Sequence, residues 1–405
     1  MSDSPPRIHW TDDGQTHSAA WRSLSGHAPP ANVQLVGDDL SAGSALRLAR
    51  AGTGLLWCGD YQNARHLLQA MARRLEQPPS TAPVVTDRPA PDNRAPGKSS
   101  ADSPARNMPS ANLRQVFAAT RQAQAQRALV LGQLLLPFDA DHGLPLRRAP
   151  DVRAAGLQAH GAVGEHYVAS LRELLGLIGA FEWRKKGVPI DALQGRIHPH
   201  HGVFSPVRGE YVDLVAQAPL PPAAHSAGAF DIGCGTGVLA AVLARRGLQV
   251  VATDIDARAL ACTRDNLQRL GLAGSVTVQA ADLFPAGRAG VVLCNPPWVP
   301  SQPHSALDAA VYDPDSRMLR GFLGGLREHL ANGGEGWLVM SDLAERLGLR
   351  RRDELLGWIA QGGLRVIGRH DTRPRHARAG DAGDPLHAAR AAEVTSLWRL
   401  QSELS

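Results

Sequence analysis

The sequence predicts an α/β protein. From about residue 196 to 405 it should form a parallel sheet built from strand–helix–strand units, preceded by a mostly helical region. Three observations carry that prediction. From residue 228 onward, short apolar strands alternate with helical stretches, as parallel strands joined by crossover helices require. The run "GAFDIGCGTGVLAAVLARRG", residues 228–247, reads as strand, glycine turn and helix in succession. The next strands end in Asp254, Asp282 and Asn295, which lines polar groups along the edge where open α/β sheets bind ligands.

The elements before this sheet are read in order. Residues 1–76 make a small N-terminal α/β unit. Within it "SAGSALRLARAG" has helical apolar spacing ending in glycine, "TGLLWCGD" is a short strand, and "YQNARHLLQAMARRLE" is an amphipathic helix. Residues 77–110 hold eight of the 29 prolines and few large apolar side chains. Such a stretch cannot bury enough surface to offset its ordering entropy, so a disordered linker is expected. Residues 111–195 read as a helical region that selects the substrate. Its three helices are "NLRQVFAATRQAQAQRALVLGQLL", "APDVRAAGLQAHG" and "EHYVASLRELLGLIGAFEWRKKG", the last closing on two lysines and Gly187.

Composition bounds the function classes. The chain has 405 residues and 43% hydrophobic content, ordinary for a soluble globular protein. No apolar run of about 18 residues predicts a membrane span, and "MSDSPPRIHW" carries no secretory pattern, so a cytoplasmic protein is expected. Cys58, Cys234, Cys262 and Cys294 are scattered and form no metal-binding pair. The net charge of +5 is compatible with a nucleic-acid partner. Only Lys98, Lys185 and Lys186 are lysines, so 40 of the 43 basic residues are arginines. That bias reads as coding preference as much as phosphate binding.

The glycine turn places Gly233, Gly235 and Gly237 where the backbone can turn sharply and approach a ligand. A dinucleotide fingerprint wants glycine at position 238, and Val238 stands there. Asp231, two residues before the first glycine, repels a phosphate but attracts a cationic amino group. Asp254 lies 21 residues after Gly233, a spacing at which a carboxylate reaches a ribose diol. Asp282 follows the third strand, "SVTVQAADLF", at the same edge, where an adenine amino group can be bound. Adenosine joined to a cationic amino acid is S-adenosyl-L-methionine (SAM). Ile255 and Leu283, next to two of these carboxylates, complete the expected cofactor set. Taken singly, Asp254 is as well explained as a helix cap and Asp282 as a strand end.

With these residues the chain resembles class I SAM-dependent methyltransferases over roughly residues 195–405. The resemblance implies a Rossmann-like, seven-stranded sheet whose last two strands, "GLRVIGRHD" and "EVTSLWRL", form an antiparallel hairpin. The fourth strand, "AGVVLC", runs into Asn295-Pro296-Pro297-Trp298. A conjugated amide or amine nitrogen is a poor nucleophile because its lone pair is delocalised. The side-chain oxygen of Asn295 and the carbonyl of Pro296 can accept its N–H groups and localise that pair. The prolines supply a rigid turn, and Trp298 a flat face for a planar group. This motif resembles that of N-methyltransferases acting on glutamines of release factors and ribosomal protein, and on exocyclic amines of rRNA or DNA bases. Most of those relatives carry Tyr or Phe in place of Trp298.

Upstream, "GVFS" is similar to the segment preceding the SAM domain of rRNA guanine methyltransferases, and "SPVRGEYVDLV" to a segment of the glutamine enzymes. Phe204, Arg208 and Tyr211 are therefore expected to line the substrate pocket. His198, His200 and His201 lack a carboxylate or thiolate at helical ligand spacing, so no metal is expected. The function expected is SAM-dependent N-methylation of a protein or RNA substrate in the translation machinery. A small-molecule N-methyltransferase and a non-catalytic SAM- or RNA-binding module are the alternatives. An NAD-dependent oxidoreductase is disfavoured by Val238 and Asp231.

Overall fold

The computed structural model describes residues 5–76, 110–206, 209–303, 308–373 and 383–403. Two sheets dominate it. The N-terminal sheet contains β1 (Arg7–Asp12), β2 (Gln15–Trp21), β3 (Asn32–Val36) and, after helix α1 (Ala42–Arg50), β4 (Thr53–Trp57). Helices α2 (Tyr61–Glu76) and α3 (Ser110–Gly132) follow, then β5 (Leu134–Phe138), α4 (Arg153–His160) and β6 (Tyr167–Ser170). The strand order is β1-β2-β6-β5-β4-β3.

This corrects the expected division of the chain. Residues 1–76 and the stretch expected to be helical share one sheet, because β5 and β6 from that stretch sit at its centre. Helix α3 stops at Gly132, and "LLLPF" behind it is a nearly wholly buried strand beside β4. "YVAS" pairs with β5 and β2 rather than starting a helix. Helix α5 (Leu171–Lys186) begins after it, with the Ser170 hydroxyl accepting from the Arg172 amide. Helical spacing and a buried strand are not distinguishable over so short an apolar run; strand partners far away in sequence decided it. The expected linker, apart from Ser110, lies outside the described residues.

A short hairpin, β7 (Val188–Ile190) and β8 (Gly195–Ile197), leads to α6 (Glu210–Gln217) and α7 (Ala223–Ala227). The second sheet then assembles from β9 (Ala229–Ile232), α8 (Val238–Arg245), β10 (Val250–Asp254), α9 (Ala257–Arg269), β11 (Val276–Ala280) and β12 (Ala289–Cys294). It is completed by α10 (Arg317–His329), β13 (Leu330–Ser341), α11 (Leu343–Arg346), α12 (Arg352–Gln361), β14 (Leu364–Thr372), α13 (His387–Ala391) and β15 (Thr395–Ser402). Its order is β11-β10-β9-β12-β13-β15-β14, with β15 antiparallel to both neighbours. Seven strands and a final antiparallel pair are what the resemblance implied. Strand order reverses between β9 and β12, so a crevice opens at their carboxyl ends. Buried apolar residues cover both faces, for instance Leu239, Leu243 and Leu293 on one and Phe230, Phe322 and Leu323 on the other.

Two contacts tie the sheets together. Arg184 near the end of α5 pairs with Asp265 of α9 at 3.1 Å. On the other side, α3 meets the segment that follows β12, with Phe117 packed in the same cluster as Val299.

Candidate functional site

The crevice is built around the turn from β9 to α8. Gly233, Gly235 and Gly237 all have positive φ, at 73°, 54° and 76°. Each glycine answers a different constraint. A Cβ on Gly233 would lie 2.5 Å from Met318 Cε, and one on Gly237 would lie 2.8 Å from Thr263 Cγ2. A Cβ on Gly235 meets nothing within 4 Å. Gly233 and Gly237 therefore serve packing, whereas Gly235 borders open space in which a ligand can approach the backbone.

Asp231 is 1% exposed at the end of β9, and one of its oxygens accepts from the Ala240 amide in the first turn of α8 at 2.9 Å. Burial pushes its pKa up to about 7; the Ala240 amide opposes the rise, and the charge of Asp254 adds to it. Asp254, at the tip of β10, accepts from the amides of Gly235 at 3.0 Å and Asp256 at 2.9 Å. Burial raises its pKa as well, against those hydrogen bonds. Two partly desolvated carboxylates beside one turn make a site that favours a cation.

Beyond Asp254, the side chain of Ile255 is 72% exposed, an apolar surface available to a ring. Leu283 adopts a φ of 76°, uncommon for a side chain of that size, and its carbonyl accepts from the buried Thr253 hydroxyl at 2.6 Å. Strain of this kind persists where the surroundings hold it, here through the Thr253 hydroxyl. Asp282 itself is exposed and pairs with the exposed Arg317 at 3.2 Å. The open space at Gly235, the buried carboxylates and the exposed Ile255 together fit SAM. Asp231 would face its ammonium group, Asp254 the ribose hydroxyls and Asp282 the adenine amine.

Asn295, Pro296, Pro297 and Trp298 begin where β12 ends, with Cys294 in register with Ile232 of β9. The Asn295–Trp298 turn is thus one strand away from the glycine turn. Trp298 is half-buried, and its indole N–H donates to Asn295 Oδ1 at 2.9 Å. An indole N–H can bond only to the amide oxygen, so this contact determines which way the Asn295 amide points. The ring is thus tethered at its edge, and it lies perpendicular to Tyr211 with 6.4 Å between centroids.

Of the expected pocket residues, Tyr211 is buried on α6 behind Trp298, where burial and the charges of Asp231 and Glu210 raise its pKa. Phe204 is half-buried before α6, and the neighbouring Val203 packs on Ala259 and Cys262 of α9. Arg208 lies outside the described residues. His198 bonds to the Arg184 carbonyl of α5, a contact that joins the two sheets, and His200 bonds to Asp265 of α9.

Residue-by-residue reading missed Asp313 and Thr253. Asp313 is buried and accepts from the Met318 and Leu319 amides, which holds α10 and places Met318 against Gly233. Its signal was legible as Asp-Pro ahead of a helix. Thr253 had none, since a strand threonine has no pattern that marks a tertiary partner.

Residues 194–347 match the family model of the methyltransferase small domain. Over 122 residues the chain is 34% identical to a ribosomal RNA small subunit methyltransferase C of Chromohalobacter salexigens, covering 30% of this chain and 34% of that one. A release factor glutamine methyltransferase of Geobacter sulfurreducens is 29% identical over 168 residues, 38% of this chain and 56% of that one. A ribosomal RNA small subunit methyltransferase C of Salmonella gallinarum is 30% identical over 202 residues, 49% of this chain and 52% of the relative. The chain thus spans between about a third and just over half of the length of these relatives. Among the described residues no helix is long and apolar enough to cross a membrane.

Proposed function

We propose, from the premise that residues 194–347 form a SAM-dependent methyltransferase small domain, that this protein methylates a planar amide or exocyclic amine nitrogen. The observation that carries the reading is the Asn295–Trp298 turn. It stands one strand from the glycine turn, with its amide oxygen held in place by the Trp298 indole.

SAM, when bound, supplies a methyl group activated by its sulfonium. The rest belongs to the chain's own residues. Asn295 Oδ1 has a lone pair left over after accepting from Trp298, and the Pro296 carbonyl, followed by Pro297 with no N–H of its own, is the second acceptor. Together they take the two N–H groups of the target nitrogen and draw its lone pair out of conjugation. No strong base is needed, since positioning and preorganised dipoles carry the rate.

The acceptor is proposed to be an rRNA base in the translation machinery. Support comes from the ribosomal RNA methyltransferases among the relatives, one of which aligns over 202 residues, more than the domain alone. A protein glutamine is the second reading, favoured by the likeness to a release factor glutamine methyltransferase.

The test is methyl transfer from labelled SAM into an extract of cells lacking this protein, with Asn295→Ala as the blank. Label released by nuclease supports the rRNA reading, and label released only by protease supports the glutamine reading. Full transfer by Asn295→Ala, with SAM still bound, would overturn the acceptor assignment.

A further inference from the structure

Helix α3 belongs to the N-terminal sheet by sequence, yet one side of it lies against the acceptor loop. The loop leaves Trp298 and returns through two described arms, residues 299–303 and 308–316. The arms pair at their base: the Val299 amide donates to the Val311 carbonyl at 3.2 Å, and the Asp313 amide to the Val299 carbonyl at 2.9 Å. Arg121 of α3 grips both arms at once. Its Nη2 donates to the Gln302 carbonyl at 2.7 Å on the first arm, and its Nη1 pairs with Asp308 at 3.2 Å on the second. The guanidinium plane also sits 3.8 Å from the centre of the Tyr312 ring. The Arg121 side chain is only 12% exposed, so this cation is largely desolvated and its three contacts are stronger than surface ones. One turn earlier on the helix, Phe117 is buried in the cluster that contains Val299.

We infer that Arg121 is a positioning residue for methyl transfer: by bridging the two arms from a different domain, it sets the acceptor turn beside the glycine turn. At their base the arms are held by backbone contacts near Val299 and by the packing of Val299 and Tyr312 with Leu347 and Leu386. Arg121 supplies the far end of the brace, and Phe117 seats the helix that carries it. The N-terminal region thereby forms a wall of the acceptor site, in addition to any part it takes in selecting the acceptor. Lysine is no substitute, since it lacks the planar fork that spans Gln302, Asp308 and Tyr312 together.

The inference rests on the methyltransferase reading for its kinetic consequence, but the bracing itself is measurable without activity. Arg121→Ala, Arg121→Lys and Phe117→Ala are compared with wild type by amide hydrogen exchange, SAM affinity, and kcat and KM for the acceptor. In Arg121→Ala, exchange is expected to quicken in peptides over 298–303 and 308–316 while peptides over 229–254 keep wild-type protection. SAM affinity stays unchanged, and kcat falls by about tenfold to a hundredfold, the cost of a slight misplacement of reacting groups. Phe117→Ala follows the same pattern, and Arg121→Lys recovers only part of kcat. Wild-type loop protection in Arg121→Ala, or an unchanged kcat with a loosened loop, overturns the inference. So does loss of protection throughout 229–254 together with SAM binding, which marks a general structural role. Absence of methyl transfer by wild type counts against the proposed function, and the exchange data then decide alone whether α3 braces the loop.

Discussion

Trp298→Phe removes one hydrogen-bond donor from the acceptor turn and leaves most of an aromatic ring in place. In the native turn the indole N–H holds Asn295 Oδ1 at 2.9 Å in a half-buried setting. A neutral hydrogen bond of this kind contributes about 0.5–1.5 kcal/mol net. Without it, the Asn295 amide can rotate by half a turn and present its NH2 group to the target nitrogen, where two donors face each other. Since about 1.4 kcal/mol corresponds to a factor of ten, the ratio of productive to rotated amide should fall between about twofold and about tenfold. An amide left with no preference is productive about half the time, so the expected result is a kcat lower by about twofold at saturating SAM and acceptor. SAM affinity should be unchanged, because no described contact links the indole to the glycine turn's carboxylates. The assay is steady-state formation of S-adenosylhomocysteine, with calorimetric SAM binding and thermal unfolding measured on the same preparations. An unchanged kcat in a folded, SAM-binding Trp298→Phe protein would refute the argument that the indole sets the Asn295 amide.

Two further outcomes are expected. Asp231 has a pKa raised to about 7 by burial, so its charged form, which attracts an ammonium group, is lost as pH falls through that value. SAM affinity measured between about pH 6 and about pH 8 should therefore weaken on the acid side, and Asp231→Asn should bind weakly with a smaller dependence, that of Asp254, whose pKa burial also raises. Stability has the opposite sign. The folded chain keeps a proton on Asp231 that the unfolded chain releases above about pH 4, so this residue destabilises progressively as pH rises from there to about 7. The glycines separate ligand from packing. Gly235→Ala should abolish most SAM binding with a modest strain of about 1 kcal/mol, whereas Gly237→Ala, driven against Thr263, should mainly lower the unfolding midpoint. Equal loss of stability in the two variants would contradict that division.

Much of the cofactor half was legible because its signals are local. Glycines at 233, 235 and 237 and carboxylates at the ends of successive strands need only the next few residues to be interpreted. The seven-stranded sheet followed from family resemblance and from the alternation of elements, and the observed strand order agrees with it. Two strands of the N-terminal region, and so its grouping into one sheet, were not legible for the converse reason. "LLLPF" and "YVAS" are short apolar runs whose partners, in β4 and β2, lie about 80 and 150 residues away in sequence, and no local period distinguishes them from helix. Trp298 could be read as an aromatic next to a turn, but its tether to Asn295 depends on backbone curvature through two prolines. The amino-acid sequence alone determined which polar groups and glycines stand at the strand ends, because their charge and shape are the same wherever they fold. Only tertiary structure decided that Gly235 faces open space, that the indole orients the amide, and that Arg121 of a distant helix braces the acceptor loop. Those contacts join residues whose separation along the chain carries no signal, and packing brings them together only once both sheets have formed.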